Sequence, residues 1–137
     1  DAARSTQAPL SVAMLDLDHF KLVNDHHGHA VGDQVLVALA TLLRAHTRAT
    51  DLAARLGGEE FLLVLRDTDV RAAAEVCERL RSCVQGHDWA SVAPGLAVTV
   101  SIGLTSAPPY EAQTLSLRAD AALYRAKAAG RNCLVQS

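Results

Sequence analysis

The sequence predicts an α+β domain in which helices pack against a mainly antiparallel central sheet. Three observations carry this. Residues 10–17, LSVAMLDL, run apolar and then alternate, as a strand does when it is buried for most of its length and polar at its end. Between Val31 and Thr47, the residues Val31, Val35, Leu36, Leu39, Leu42, Leu43 and His46 recur at helical spacing. Gly57 and Gly58 divide two short strand-like runs, and Gly-Gly suits the positive φ angles of a tight hairpin, which pairs its strands antiparallel.

The elements follow in order. The first strand is expected at Leu10–Leu17, after Pro9 closes a polar lead-in. FKLVNDHHG reads as a short helix stopped by Gly28, and Val31–Thr47 as a longer one. Leu52–Leu56 and Glu60–Leu65 are the arms of the hairpin. Asp67 or Thr68 can cap a helix over Val70–Gln85, with Ala74, Cys77, Leu80, Arg81 and Val84 on or beside one face. Gly86, Pro94 and Gly95 mark a loop. Ala97–Thr105, rich in Val, Thr and Ile, suits a strand in the middle of a sheet, ended by Pro108 and Pro109. An Ala-rich helix over Leu115–Ala129 is closed by Gly130, and Cys133–Gln136 forms a short last strand. Trp89, Tyr110 and Tyr124 are read as packing residues.

A chain of 137 residues, half of them hydrophobic, encloses one sizeable core, so a single domain over residues 1–137 is expected. The 13 basic and 15 acidic residues give a formal charge of −2, with Lys and Arg dispersed. That excludes the electrostatic footprint of a nucleic-acid polymer and leaves small nucleotides as candidates. Three cysteines, Cys77, Cys83 and Cys133, follow no CxxC pattern and form neither a disulfide framework nor a zinc cage. No apolar stretch is long enough to span a bilayer, and the first ten residues lack the pattern of a signal peptide. A soluble, cytoplasmic protein is expected.

Two places concentrate chemistry. Asp16 and Asp18 are alternate residues at the end of the first strand and share a face. Taken alone, such a pair is a strand emerging into solvent. Glu59 and Glu60, however, are crowded beside the hairpin turn, where two acids repel unless a cation is near. If the first strand lies beside the hairpin, Asp16 and Glu59 form a hard-oxygen site suited to magnesium. His19, His26, His27 and His29 have no recognised metal-ligand spacing and are read as core or surface residues. No GxxxxGK[ST] loop occurs.

RLGGEEF at 55–61 resembles the signature of GGDEF domains, the diguanylate cyclases. DLDHFKLVNDHHGHAVGD at 16–33 is similar to the family's upstream motif, VSIGLT at 100–105 to its central strand, and ADAALYRAKAAGRN at 119–132 to its last helix. The blocks occur in order and span nearly the whole chain. The resemblance implies a nucleotide-cyclase (palm or ferredoxin-like) architecture that condenses two GTP into cyclic di-GMP with release of pyrophosphate.

Residue by residue, it implies that Asp16, Glu59 and the carbonyl of Leu17 bind Mg2+, with Mn2+ as the alternative, and that Glu60 belongs to the catalytic set and Asp18 less so. Asn24 and Asp33 match the guanine-recognising positions; a carboxylate can accept from guanine N1 and N2 hydrogens, whereas adenine has no donor at N1. Lys21, Gly57, Gly58, Lys127 and Arg131 match phosphate-binding positions. Lys127 and Arg131 are neighbours on a helical face if the helix persists that far. One chain supplies a site for one GTP, so catalysis requires a two-fold homodimer. Arg48 and Asp51 form an RxxD string which, with Arg79, matches a product-inhibition site for cyclic di-GMP. The family's usual aromatic residue is replaced by His27. Its preceding helix and D-x-L-T-G-L-x-N-R stretch have no counterpart ahead of Leu10. The chain is therefore expected to be a fragment that is weakly active or inactive alone, parted from a sensory domain that drives dimerisation and can tether the full protein to a membrane. Two readings compete with a cyclase: a module that keeps the fold and binds GTP or cyclic di-GMP without turnover, and a nucleotide-independent interaction domain.

Overall fold

The computed structural model describes residues 8–106, 108 and 111–137. Pro109, Tyr110 and the polar lead-in at residues 1–7 lie outside the described residues. Strand β1 (Leu10–Leu17) is followed by helices α1 (Phe20–His27) and α2 (His29–Ala45), the hairpin of β2 (Leu52–Gly57) and β3 (Glu60–Arg66), and helix α3 (Val70–Gly86). A 3-10 turn at Trp89–Ser91 precedes β4 (Val100–Thr105), helix α4 (Ala112–Ala128) and β5 (Leu134–Gln136). Strand order in the sheet is β2-β3-β1-β4-β5. Three neighbouring pairs are antiparallel and β4 with β5 is parallel, so the sheet is mixed. A parallel pair needs a crossover between its strands, and α4 supplies it.

Alternation along the strands divides the core into two layers. Ala13, Leu15 and Leu17 of β1, Phe61, Leu63 and Leu65 of β3, and Val100, Ile102 and Leu104 of β4 pack against α1, α2 and α3. On the opposite face Val12 and Met14 meet Leu115, Ala119 and Leu123 of α4, with Leu62 and Val64 at the margin. The contact between α4 and β4 is close because Gly103 has no side chain: a Cβ there would stand 2.1 Å from the Leu123 amide nitrogen and 2.3 Å from the Ala119 carbonyl oxygen. Trp89 is buried and its indole N–H donates to the Val84 carbonyl at 2.7 Å, closing the end of α3. Among the described residues no helix is long and apolar enough to cross a membrane.

Several expected boundaries move for local reasons. The cap of α3 is neither Asp67 nor Thr68 but Asp69, whose side chain accepts from the Ala72 N–H at 2.9 Å. Asp67 is spent on a left-handed turn (φ 51°), and the Thr68 hydroxyl donates to the Arg66 carbonyl. Strand β4 begins at Val100 rather than Ala97, because Val100 pairs with Leu17, the last residue of its neighbour β1. Helix α4 begins three residues before Leu115, and α2 runs from His29 to Ala45 rather than from Val31 to Thr47. Ala73, rather than Ala74, is the fully buried residue at the start of α3. Tyr124 does not pack: it is 75 % exposed on α4.

Candidate functional site

The sheet brings the two acidic motifs together. Asp16 is flanked by Glu60 of β3 on one side and Ser101 of β4 on the other. The hairpin turn is centred on Gly58 and Glu59, one residue later than the Gly-Gly pair implies, because Gly57 is still in β2 and pairs with Glu60. Gly58 takes the left-handed φ of 51°, and Arg55 Nε donates to its carbonyl at 2.9 Å. The turn folds over the end of β1, where the Leu17 N–H donates to the Glu59 carbonyl at 3.3 Å. Asp16, Leu17, Glu59 and Glu60 therefore share one corner of the sheet.

A cation completes the corner from across the molecule. Lys127, in the last turn of α4, forms an ion pair and hydrogen bond with Asp16 Oδ2. Burial raises the pKa of Glu59 above the ordinary carboxylate value, and the Asp16 and Glu60 charges add to that while Lys127 opposes it. Glu60 is raised in the same way, by burial and then by Asp120 and Asp16. Asp120, on α4, is a member of this acidic group that sequence reasoning missed. A corner this rich in negative charge suits a cation. Among the described residues no three His, Cys, Asp or Glu side chains converge as ligands. Two carboxylates and a main-chain carbonyl fit magnesium, which keeps waters and phosphate oxygens in its shell, and fit zinc poorly.

Asp18 has a different role from Asp16. It is buried, and Thr99 Oγ1 (2.7 Å), Ser101 Oγ (2.6 Å) and the Asn132 N–H (3.0 Å) all donate to its carboxylate. Arg131 is not on a helical face with Lys127. Helix α4 ends at Ala128 and the chain turns left-handed, with Arg131 exposed at φ 65°.

Asn24 lies near the end of α1 and Asp33 at the start of α2, and the two helices meet through Gly32. A Cβ on Gly32 would fall 1.9 Å from Asn24 Oδ1, so this glycine makes room for the amide. Asn24 is half-buried and Asp33 exposed. Lys21, also on α1, is exposed, and its side chain makes no hydrogen bond or ion pair among the described residues.

The RxxD residues bind each other. Arg48 Nη2 and Nε donate to the two Asp51 oxygens at 3.0 and 3.2 Å, and the Arg48 and Arg66 N–H groups also donate to Asp51. Arg48 reaches Thr68 Oγ1 at 2.9 Å and the Arg66 carbonyl besides. Burial alone would raise the Asp51 pKa, but the hydrogen bonds from Arg48 and the Arg66 N–H lower it overall. Arg79 is exposed on α3 and joins this cluster through no hydrogen bond or ion pair among the described residues. A hollow of about 1030 Å³ between α3 and β5 is lined by none of the candidate residues.

The fold agrees with comparisons to known proteins. The chain is 44% identical over 126 residues to diguanylate cyclase DgcP of Pseudomonas aeruginosa, covering 91% of this chain and 19% of that one. It is 44% identical over 133 residues to response regulator PleD of Caulobacter vibrioides, covering 93% and 29%. It thus spans less than a third of either relative. Its fold matches the active GGEEF domain of a diguanylate cyclase from Vibrio cholerae with a TM-score of 0.90 at 34% identity, covering 98% of this chain and 86% of that one. It matches the GGDEF domain of DgcB from Caulobacter crescentus, solved with c-di-GMP, with a TM-score of 0.88 at 34% identity, covering 98% and 81%. Residues 1–133 match the family described as "Diguanylate cyclase, GGDEF domain". With that match over nearly its whole length, and with the acidic corner built from the family's own blocks, the chain belongs to the GGDEF-domain family of diguanylate cyclases.

Proposed function

We propose that this domain condenses two GTP molecules into cyclic di-GMP. The observation that carries the reading is the convergence of Asp16, Glu59 and Lys127 at one corner of the sheet from three separate elements. Asp16, Glu59 and the Leu17 carbonyl hold magnesium, or manganese, with Glu60 beside them. Magnesium held by these groups would polarise the α-phosphate and lower the pKa of the attacking hydroxyl. Lys127, Arg131 and Lys21 neutralise the triphosphate, and Gly57 and Gly58 let the backbone approach it. Asn24 and Asp33 hold the guanine edge, Asp33 as an acceptor for its N–H groups.

The 3′ oxygen of each GTP bonds to the α-phosphorus of the other as the bond to pyrophosphate breaks. Two phosphodiesters form, two pyrophosphates leave and the two hydroxyl protons pass to solvent. A site for one GTP must meet its symmetry mate, so the active form is a two-fold dimer. The c-di-GMP bound to the DgcB domain supports nucleotide binding here as well, and the forks of Arg48 and Arg79 beside Asp51 suit a product site. The setting is cytoplasmic, and in the longer protein a sensory domain governs dimer formation.

GTP turnover with chromatography of the products, on the wild type and on Glu59→Ala, tests this. The domain alone is expected to be weakly active or inactive; fused to a dimerising partner, the wild type is expected to make cyclic di-GMP and the variant none. GTP binding without turnover, even in a domain forced to dimerise, would indicate a sensor module instead.

A further inference from the structure

The second acid of the β1 motif is already occupied inside the protein. An ionised carboxylate offers roughly four acceptor positions, and Asp18 accepts from Thr99, Ser101 and Asn132, whereas Asp16, buried to the same degree, is bonded through its side chain to Lys127 alone among the described residues. The Asp18 N–H donates to the Thr99 carbonyl at 3.0 Å. Asp18 has little left for a metal ion.

Its bond to Asn132 falls at a demanding place in the backbone. After α4, three successive residues have positive φ: Gly130 at 117°, Arg131 at 65° and Asn132 at 47°. Such angles are costly for residues that carry a Cβ and persist where the surroundings impose them. Asn132 is held from two sides. Asp18 accepts its N–H, and Arg81 Nη1 donates to its Oδ1 at 2.9 Å. Arg81 is itself fixed on α3 by Glu78 (2.5 and 2.8 Å) and by Gln85 Oε1 (3.1 Å). Arg131 precedes the clasped residue, and its own N–H is tied to the Ala126 carbonyl at 3.0 Å. Lys127, one helical turn earlier, is the residue paired with Asp16.

We propose that Asp18 and Arg81 are positioning residues for triphosphate recognition: by clasping Asn132 they hold the left-handed turn that delivers Arg131 to GTP. The proposal rests on the reading of Arg131 as a phosphate-binding residue. It separates the two acids of the motif, giving the metal to Asp16 and the arginine turn to Asp18. It also gives a task to Arg81, which lies outside every candidate set read from the sequence.

The test compares Asp18→Ala, Arg81→Met and Arg131→Ala, singly and as doubles with Arg131→Ala. Arg81→Met keeps the side-chain stem and leaves the buried residues untouched, so it carries the test if Asp18→Ala does not fold. Amide hydrogen exchange reads the clasp directly, and faster exchange at Asn132 is expected in both clasp variants. GTP affinity is expected to fall about fivefold in each, the size of one loosened charge-assisted contact, and to fall no further in the Arg131→Ala background. The magnesium concentration at half-saturation is expected to stay at the wild-type value. An equal loss in the Arg131→Ala background would overturn the proposal in favour of general loosening. A higher magnesium requirement in Asp18→Ala would overturn it in favour of a metal ligand. If Arg131→Ala alone leaves GTP affinity intact, the proposal falls with its premise. If the wild type binds no GTP, the cyclase reading falls as well.

Discussion

At the scale of single residues, chemistry here depends on what each side chain touches. Gly32 matters through an atom it lacks. Gly32→Ala should gain helix propensity, about 1 kcal/mol in an isolated helix, yet its Cβ would displace the Asn24 amide. On the guanine reading, GTP affinity should fall by about tenfold, the scale of one hydrogen bond to a base edge. Calorimetric titration beside a melting curve separates this from unfolding. Glu60 has its pKa raised by burial and by its acidic neighbours. Its contribution to stability is therefore fully present below the unfolded value of about 4.3 and lost as pH rises through the higher folded value. Glu60→Gln should melt above wild type at pH 7 in metal-free buffer, and the gap should close toward pH 4. Burial pushes the Cys77 thiol up to about 12. At pH 8 a thiol reagent should modify Cys83 and Cys133 well before Cys77, which mass spectrometry can follow.

At the scale of elements, close backbone approach and side-chain clasps position the functional groups. Gly103 sets the distance between β4 and α4, and α4 carries both Lys127 and Asp120. Gly103→Ala must push the helix away, costing about 1–3 kcal/mol or more, and should weaken magnesium binding by moving Lys127 relative to Asp16. Denaturant melts and metal titrations of the variant check the two effects together. The RxxD clasp ties the loop after α2 to the end of β3 through Asp51, a half-buried residue whose side chain is almost wholly covered. Asp51→Ala leaves the Arg66 and Arg48 N–H groups without that acceptor and should cost about 1–3 kcal/mol, whether or not cyclic di-GMP binds there. The hairpin and long helices were legible because periodicity and turn chemistry are local. The cap at Asp69 was not, since three candidate capping residues stand side by side and tertiary bonds to Thr68 decide among them.

At the scale of the whole molecule, the proposed function gives the acidic corner groups for one GTP. Product formation by this domain should therefore rise faster than in proportion to its concentration, and a fused dimerising partner should raise it further. Strict proportionality across the dilution range would contradict the dimeric mechanism.

The sequence by itself determined the element order, the hairpin, the two acidic motifs and the family they resemble, because each is written within a few consecutive residues. Tertiary structure alone decided that Lys127 pairs with Asp16 across 111 positions, and that Asp18 is consumed by Ser101 and Asn132 across 83 and 114. It also decided that Arg131 leaves the helix on a left-handed turn. A D-x-D string reads as two equivalent carboxylates on one face. Both are buried, and which of them keeps free acceptor positions beside Lys127 and which is filled by hydroxyl and amide donors depends on strands and turns that meet only when the chain is folded.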